Sequence, residues 1–491
     1  MDRYDVAVVG SGFGGSVAAL RAAEAGKSVV ICEQGRRLTP ADLQAGAESA
    51  RALIWEPSLG LKGYFRQTLL RHLTIVGGIG VGGGSIVYAA VLLKPKSFDA
   101  PGWACAGVDW SAELEPHYER AAGMLGRERN PQRGLQDEWL QAAADRLGVG
   151  HTYGPTFQGI RFADCIACGQ CITGCPHGAK QSTDLTYLAR AEALGARITP
   201  LSKAHVLVPL NPGWRVVVRN PLTGEVSSVE ADEVVLAAGV LGTVELLSAC
   251  RDRWKTLPDL SPMLGRQVRT NSEAFSAILH APGTDVTKGA TISSDFYPDP
   301  TTHVTNNRFP KSYSFMRWYL SPLVTGDRRR ETLLAMLRHP GVATANMRAR
   351  DWHKRVTILT VMQHADNAMA LSYRRGPFGW GLRSEIPAGV EPVPVFLPQA
   401  DAAGRAVAEV SGGRAYSTLL ESLLGVGATA HILGGAIIGP EPSAGVVDAD
   451  HRVYGYEGLR VMDGSVVPEN VGVNPSWTIT ALAERAAARW L

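Results

Sequence analysis

Apolar residues along this chain come in short runs that break on glycine, and each break predicts a strand entering a tight turn. The first run, Tyr4-Asp-Val-Ala-Val-Val, leads straight into Gly10, Gly12 and Gly15. A helix is predicted from about Ser16 to Ala25, then a second strand from Ser28 to Cys32 that stops at Glu33. The same order returns at Asp232-Glu-Val-Val-Leu-Ala-Ala, which reads as a strand, a turn at Gly239 and a helix beyond it. Residues 73–93 carry no charge and match a membrane span in length. Six glycines among them argue against a stable spanning helix. A further strand is predicted from Arg355 to Val361, and a last helix follows Pro475.

The first unit is the sharpest chemical signal. Gly10, Gly12 and Gly15 have the G-x-G-x-x-G spacing, in which the glycines serve the turn, the approach of backbone to a pyrophosphate, and helix-to-strand packing. The helix N-terminus offers free N–H groups to the phosphates, and Glu33 lies where an acid holds an adenosine ribose. A second glycine-rich stretch, Gly77 to Ser85, and the Ala238-Gly239 turn add further contacts. So many suit a long extended ligand, FAD, better than a nicotinamide cofactor. At the far end, His431 stands before a Gly-Gly pair and Asn474 before a proline, placements that let side chains reach a site from loops on a rigid frame. An alcohol gives up hydride readily only as its O–H proton departs, so a base within hydrogen-bond reach is required. His431 is the candidate proton acceptor and Asn474 the candidate positioning group.

Cys165, Cys168, Cys171 and Cys175 follow the ferredoxin spacing C-x2-C-x2-C-x3-C-P. An iron–sulfur cluster (4Fe–4S or 3Fe–4S), a zinc ion and ordinary thiols are the alternatives. The fourth ligand is open, with Cys175 closing the same cluster or Cys32, Cys105 or Cys250 supplying a remote thiolate. A cluster would relay electrons singly from a reduced flavin to an outside carrier, an acceptor protein or a quinone, and make the enzyme a dehydrogenase.

These segments resemble the glucose–methanol–choline (GMC) oxidoreductases, in their cholesterol-oxidase-like branch. The resemblance is carried by Gly80-Val-Gly-Gly-Gly-Ser-Ile-Val-Tyr-Ala, by Leu264-Gly-Arg-Gln-Val-Arg-Thr-Asn-Ser-Glu, by Met362-Gln-His-Ala-Asp-Asn and best by Ala430 to Arg485. It implies an α/β fold: a Rossmann-like FAD-binding domain interleaved with an α+β substrate domain built on an antiparallel sheet. The expected partition is residues 1–100, 180–270 and 425–491 for FAD, 271–424 for substrate, and 101–180 as a connecting region with the cysteines. Cofactor contacts are implied at Gly10, Gly12, Phe13, Gly14, Gly15 and Glu33, at Gly78, Gly82, Gly83 and Ser85, and at Val206, Ala238 and Gly239. Asp463 and Gly464 would lie near the flavin phosphate and ribityl chain, with Asn474 and Pro475 beside the flavin ring. The implied reaction is oxidation of a secondary, cyclic alcohol to a carbonyl by hydride transfer to flavin N5. An oxygen-using oxidase without a cluster is the alternative, and a non-redox flavin isomerase or lyase a third reading. Sterol-oxidising relatives carry a glutamate for double-bond isomerisation where Thr305 stands here, so that step is not expected.

Composition excludes more than it adds. With 491 residues, 45% hydrophobic and 19% charged, the chain suits two domains. A net charge of +3 points to no polyanion and so to no nucleic acid. The first strand leaves no room for a signal peptide, so a cytoplasmic location is expected, and the crowding of four of seven cysteines argues against a secreted disulfide framework. Lys311 to His339 reads as a helix pair with a charged turn, or as a lid or a surface for a membrane or electron carrier. Trp352, His353 and His364 read as packing or supporting residues near a strand.

Overall fold

A computed structural model describes residues 3–104, 107–325, 328–377 and 379–491. Two seven-stranded sheets organise it. In the first, Arg197–Thr199, Val29–Cys32, Arg3–Val9 and Val226–Leu236 lie side by side and parallel, and Leu459–Val461 adds to Val226–Leu236 in the same sense. Its flank, Trp214–Arg219 and Lys203–Pro209, runs antiparallel. Val6 to Val9 and Val29 to Cys32 are buried throughout, as a parallel sheet covered on both faces requires. The helices Phe13–Glu24 and Ser476–Trp490 pack on one another, and the Arg21 guanidinium donates to Glu484 at 2.8 Å.

The second sheet is antiparallel: Leu320–Pro322, Arg414–Thr418, Ala274–Leu279, Val356–Gln363, Thr302–Asn307, Ser294–Asp299 and Gly154–Pro155, in that spatial order. The first sheet therefore combines strands from the N-terminal segment, from residues 197–236 and from near the C-terminus, and the second takes most of its strands from residues 274–418. This is the α/β arrangement with an antiparallel partner that the resemblance implied.

Two local expectations, on the first helix and on Lys311 to His339, need correction. The first helix begins at Phe13, not Ser16: Gly12 is extended at φ −69° and ψ −161°, and Gly14 and Gly15 form the first turn. A Cβ at Gly14 would stand 1.5 Å from the Met462 carbonyl oxygen, so helix and strand meet backbone to backbone there. The uncharged stretch after Leu73 is a strand, Leu73–Gly78, and a 3-10 turn, Gly83–Ile86; among the described residues no helix is long and apolar enough to cross a membrane. Lys311 to His339 is not a helix pair. It holds a 3-10 run, Lys311–Tyr319, then the strand Leu320–Pro322 and the helix Arg328–Arg338. Strand pairing to Arg414–Thr418 overrode the helical reading. Trp352 is fully buried and donates to Asn346 at 2.7 Å, which bears out its packing role.

Candidate active site

Three helical N-termini without a side-chain cap are drawn together by the close approach of glycine backbones. A Cβ at Gly10 would meet the Ala237 oxygen at 2.3 Å, one at Gly14 the Met462 oxygen, and one at Gly83 the Gly12 Cα at 2.7 Å. The turns at Gly10–Gly15, Gly82–Ser85, Ala238–Gly239 and Met462–Gly464 are thereby brought to one place. Gly239 faces open space on the side a Cβ would occupy, and a Cβ at Gly12 would meet only the Gly83 Cα at 4.0 Å. Free N–H groups around such a space fit the phosphates of an extended dinucleotide.

Charged and hydroxyl groups fix these turns to each other. Glu33 ends its strand as expected and accepts from the Ser11 hydroxyl at 2.7 Å, from the Ser11 N–H at 3.1 Å and from the Gly35 N–H at 2.9 Å. Ser11 in turn accepts from the Gly82 N–H at 3.0 Å. Sequence reasoning passed over Ser11, an unspecified position inside the fingerprint, although it ties two of the turns. Burial pushes the Glu33 carboxyl up, against the hydrogen bonds from Ser11 and Gly35. Asp463 accepts from Thr243 at 2.6 Å and from the Ser465 N–H at 2.8 Å, and burial pushes its carboxyl up as well. Ser85 donates to Gly82 O at 2.7 Å and accepts from Thr183 N–H at 2.9 Å. The Phe13 ring stands edge-on to Tyr88 at 5.3 Å. Gly78 ends its strand against Gly83, whose oxygen a Cβ would meet at 2.5 Å. Val206 lies on the antiparallel flank, paired with Val217 at a break in register.

His431 and Asn474 come together from separate loops. Gly427–Thr429 pairs parallel with Leu73–Gly78, and Leu433–Gly434 pairs with Val268–Arg269, so His431 is held between two short ladders. Gly434 has φ +76°, and a Cβ there would meet the Gln267 oxygen at 2.1 Å, which explains the Gly-Gly pair. Asn474 precedes Pro475, the first residue of the cap of Ser476–Trp490. The Asn474 amide nitrogen lies 3.2 Å from His431 Nε2. Its amide oxygen is buried without a partner, which leaves an acceptor for a donor on a bound ring or substrate. His431 Nδ1 is in direct contact with the Glu273 carboxylate, a group sequence reasoning assigned no role. Thr305 is fully buried and donates to the Thr360 carbonyl at 3.3 Å, so it offers no base.

The cysteine loop is a separate feature. Ala167, Gly169 and Gly174 take left-handed φ of 58°, 69° and 87°, and this winding directs Cys165, Cys168, Cys171 and Cys175 into one small cavity shared with Lys180 and Gly289. Burial pushes the Cys168 thiol up to about 11 and the Cys171 thiol up as well. The expected metal finds no support in the arrangement: among the described residues, no three His, Cys, Asp or Glu side chains are grouped to hold a metal ion. Cys32 is buried in the parallel sheet and Cys250 accepts from the Leu207 N–H at 3.3 Å, so neither serves as a remote ligand. Cys105 lies outside the described residues.

Comparison with known proteins places these geometries. Models of the GMC oxidoreductase N- and C-terminal regions match residues 7–250 and 349–483. Cholesterol oxidase of Mycobacterium tuberculosis is 37% identical, with 99% of this chain and 91% of that protein covered. Cholesterol oxidase of Acinetobacter baumannii is 36% identical over 98% and 93%. A long-chain-alcohol oxidase of Arabidopsis thaliana is 25% identical over 98% of this chain and 66% of that protein. Among solved structures, pyridoxine 4-oxidase superposes with a TM-score of 0.68 at 19% identity, covering 99% of each chain, and shows the fold alone. The chain belongs to the GMC oxidoreductase family and is a FAD-dependent enzyme acting on CH–OH donors.

Proposed function

We propose that this enzyme oxidises a secondary hydroxyl on an apolar ring skeleton of the sterol kind to the ketone, with dioxygen as the electron acceptor. The reading leans on the level of identity to proteins named cholesterol oxidase, 37% against 25% for a long-chain-alcohol oxidase. FAD, when bound in the glycine cradle, supplies a hydride acceptor for the carbinol carbon and an outlet for two electrons to dioxygen. The observation that carries the chemistry is the His431–Asn474 pair. A hydroxyl placed between them meets the Nε2 lone pair as proton acceptor and the Asn474 amide as a second anchor. The O–H proton passes to His431 as the C–H hydride departs, and the C=O bond forms. With Thr305 in place of a carboxylate, the product keeps its double bond where it was.

Anaerobic mixing of the purified holoenzyme with a 3β-hydroxysterol and, separately, a long-chain primary alcohol tests this. Rapid bleaching of the flavin by the sterol, reversed by air with peroxide release, is expected. Bleaching by the primary alcohol alone would overturn the substrate class, and bleaching by neither would favour a non-redox flavin reaction.

A second reading differs only in the acceptor, and the cysteine cavity is the observation that favours it. The Lys180 ammonium is buried there, donating to the carbonyls of Ile86 at 2.5 Å, Cys171 at 2.8 Å and Tyr88 at 3.2 Å. It thus links the cysteine loop to the glycine-rich stretch. A cluster holds each thiolate on a different iron and needs the sulfurs less close together than one ion does. Thiolates around it would also supply the anionic charge that Lys180 lacks. Iron and acid-labile sulfide in the anaerobically purified enzyme would establish this reading, with electrons leaving to an outside carrier; their absence removes it.

A further inference from the structure

The five residues Arg269-Thr-Asn-Ser-Glu lie just before the apolar strand Ala274–Leu279, and all five are buried. Polar groups so deeply placed must be partnered; Arg269 and Ser272 pair in part with Asp366 and Asn367, and three of the five also reach the two loops that carry His431 and Asn474. Asn271 donates to the Val473 carbonyl at 2.6 Å, next to Asn474. Arg269 donates to Pro468 O at 3.0 Å and sits 3.3 Å from Glu469, at the start of the same loop. Glu273 faces the other loop: one carboxylate oxygen accepts from the Ala430 N–H at 2.9 Å and the second contacts His431 Nδ1. Among the described residues, neither that oxygen nor Nδ1 has another partner.

We infer that Glu273 is the positioning residue that decides which nitrogen of His431 faces the substrate. This rests on His431 being the proton acceptor. A carboxylate only accepts, so Nδ1 must carry the hydrogen, and Nε2 is left with its lone pair towards Asn474 and the hydroxyl. When Nε2 takes the alcohol proton, the ring becomes an imidazolium whose charge lies against a carboxylate shielded from water, Glu273 being 1% exposed in its side chain. The geometry is that of an acid holding a histidine in one tautomer, seen in other folds as the outer pair of a catalytic triad. Asn474 does not supply this control, because an amide can present either its N–H or its oxygen to Nε2.

The substitution Glu273→Gln separates this role from a merely structural one. An amide has one acceptor atom, so it cannot accept from both Ala430 N–H and Nδ1–H; the side that presents NH2 pushes the ring hydrogen to Nε2. Two readouts are taken on the holoenzyme. In 15N spectra of histidine-labelled protein, with the His431 signals identified by their loss in His431→Asn, wild type is expected to carry hydrogen on Nδ1 and E273Q on Nε2. In anaerobic stopped-flow, flavin reduction by the sterol is expected to slow by roughly 10³–10⁴-fold in E273Q, the scale of a wrong-tautomer histidine, with flavin content and sterol affinity kept. Glu273→Asp, which retains two acceptors, should recover part of the rate and the wild-type tautomer. A wild-type ring hydrogenated at Nε2, or E273Q reducing flavin at the wild-type rate, overturns the inference. If E273Q does not fold, the wild-type spectrum and E273D decide it alone. Should the Nδ1 tautomer be found in an enzyme that oxidises no alcohol, the function proposed above fails while the role of Glu273 in fixing the ring stands.

Discussion

Two buried polar clusters in this molecule handle charge in opposite ways. Around His431, a carboxylate is buried against an imidazole and a backbone N–H, so the anion has donors on both oxygens. In the cysteine cavity, an ammonium is buried against three carbonyls, with the Cys171 and Cys175 thiols and Asp184 further off and no carboxylate within ion-pair distance among the described residues. Burial pushes Lys180 down to about 8. The first cluster is electrostatically complete within the chain and can do its work once substrate and flavin are in place. The second holds a cation whose desolvation nothing in the chain fully offsets, which is costly for a structural element. The closed cluster is the one proposed above to carry the chemistry, and the open cluster is where a partner or a stability penalty should be sought.

The largest effect that bears on this contrast is removal of the base. His431→Ala should slow flavin reduction by about 10⁴-fold, at least as much as Glu273→Gln, while the flavin spectrum stays intact; a wild-type rate would show that the closed cluster is not the catalytic one. Asn474→Ala should cost less, about 10²-fold, since it removes one positioning amide and leaves the acceptor nitrogen. Stopped-flow reduction under anaerobic conditions measures both.

The open cluster is probed by stability. If dioxygen is the acceptor and the cavity holds only thiols, Lys180→Met removes the donor to three buried carbonyls together with the charge and should lower unfolding free energy by about 1–3 kcal/mol, read in urea. Metal-bound thiolates would deepen that loss, because the variant would then leave buried anions unpaired as well. The pH dependence follows from the same group. Lys180 has a folded value of about 8, against an ordinary 10.5, so between those values the unfolded chain binds a proton that the folded chain does not. Stability of the metal-free protein should therefore gain from this lysine as pH rises from about 8 to about 10.5, and K180M should lack that gain. The smallest effect is expected from Cys32→Ser, away from both clusters, which should change neither flavin reduction nor iron content.

How much of this was legible along the chain differs by element. The glycine turns were readable because their spacing marks a strand–turn–helix unit, although the backbone approaches that require several of them, Gly10 to Ala237 and Gly14 to Met462, are long-range. His431 and Asn474 were readable from their neighbours, Gly434-Gly435 and Pro475, which mark loops on a frame. Glu273 was not. It sits in a stretch that was noticed for its family likeness, but a glutamate before a strand carries no sign of the histidine it meets far along the chain. One signal was present: five polar residues in a row entering an apolar strand, all of which must find partners if buried. Lys311 to His339 was misread for the same reason, since Leu320–Pro322 becomes a strand only through its neighbour at Arg414–Thr418.

By itself, the sequence determined the α/β class and the glycine turns that fit FAD, because these follow from short-range spacing and backbone sterics. Tertiary structure alone decided that Glu273 faces His431, that Asn271 steadies the Asn474 loop, and that Lys180 is buried beside the cysteine loop with no ion pair among the described residues. Those are meetings of charged and polar side chains across long stretches of chain, and their energies exist only once folding has removed the water between them.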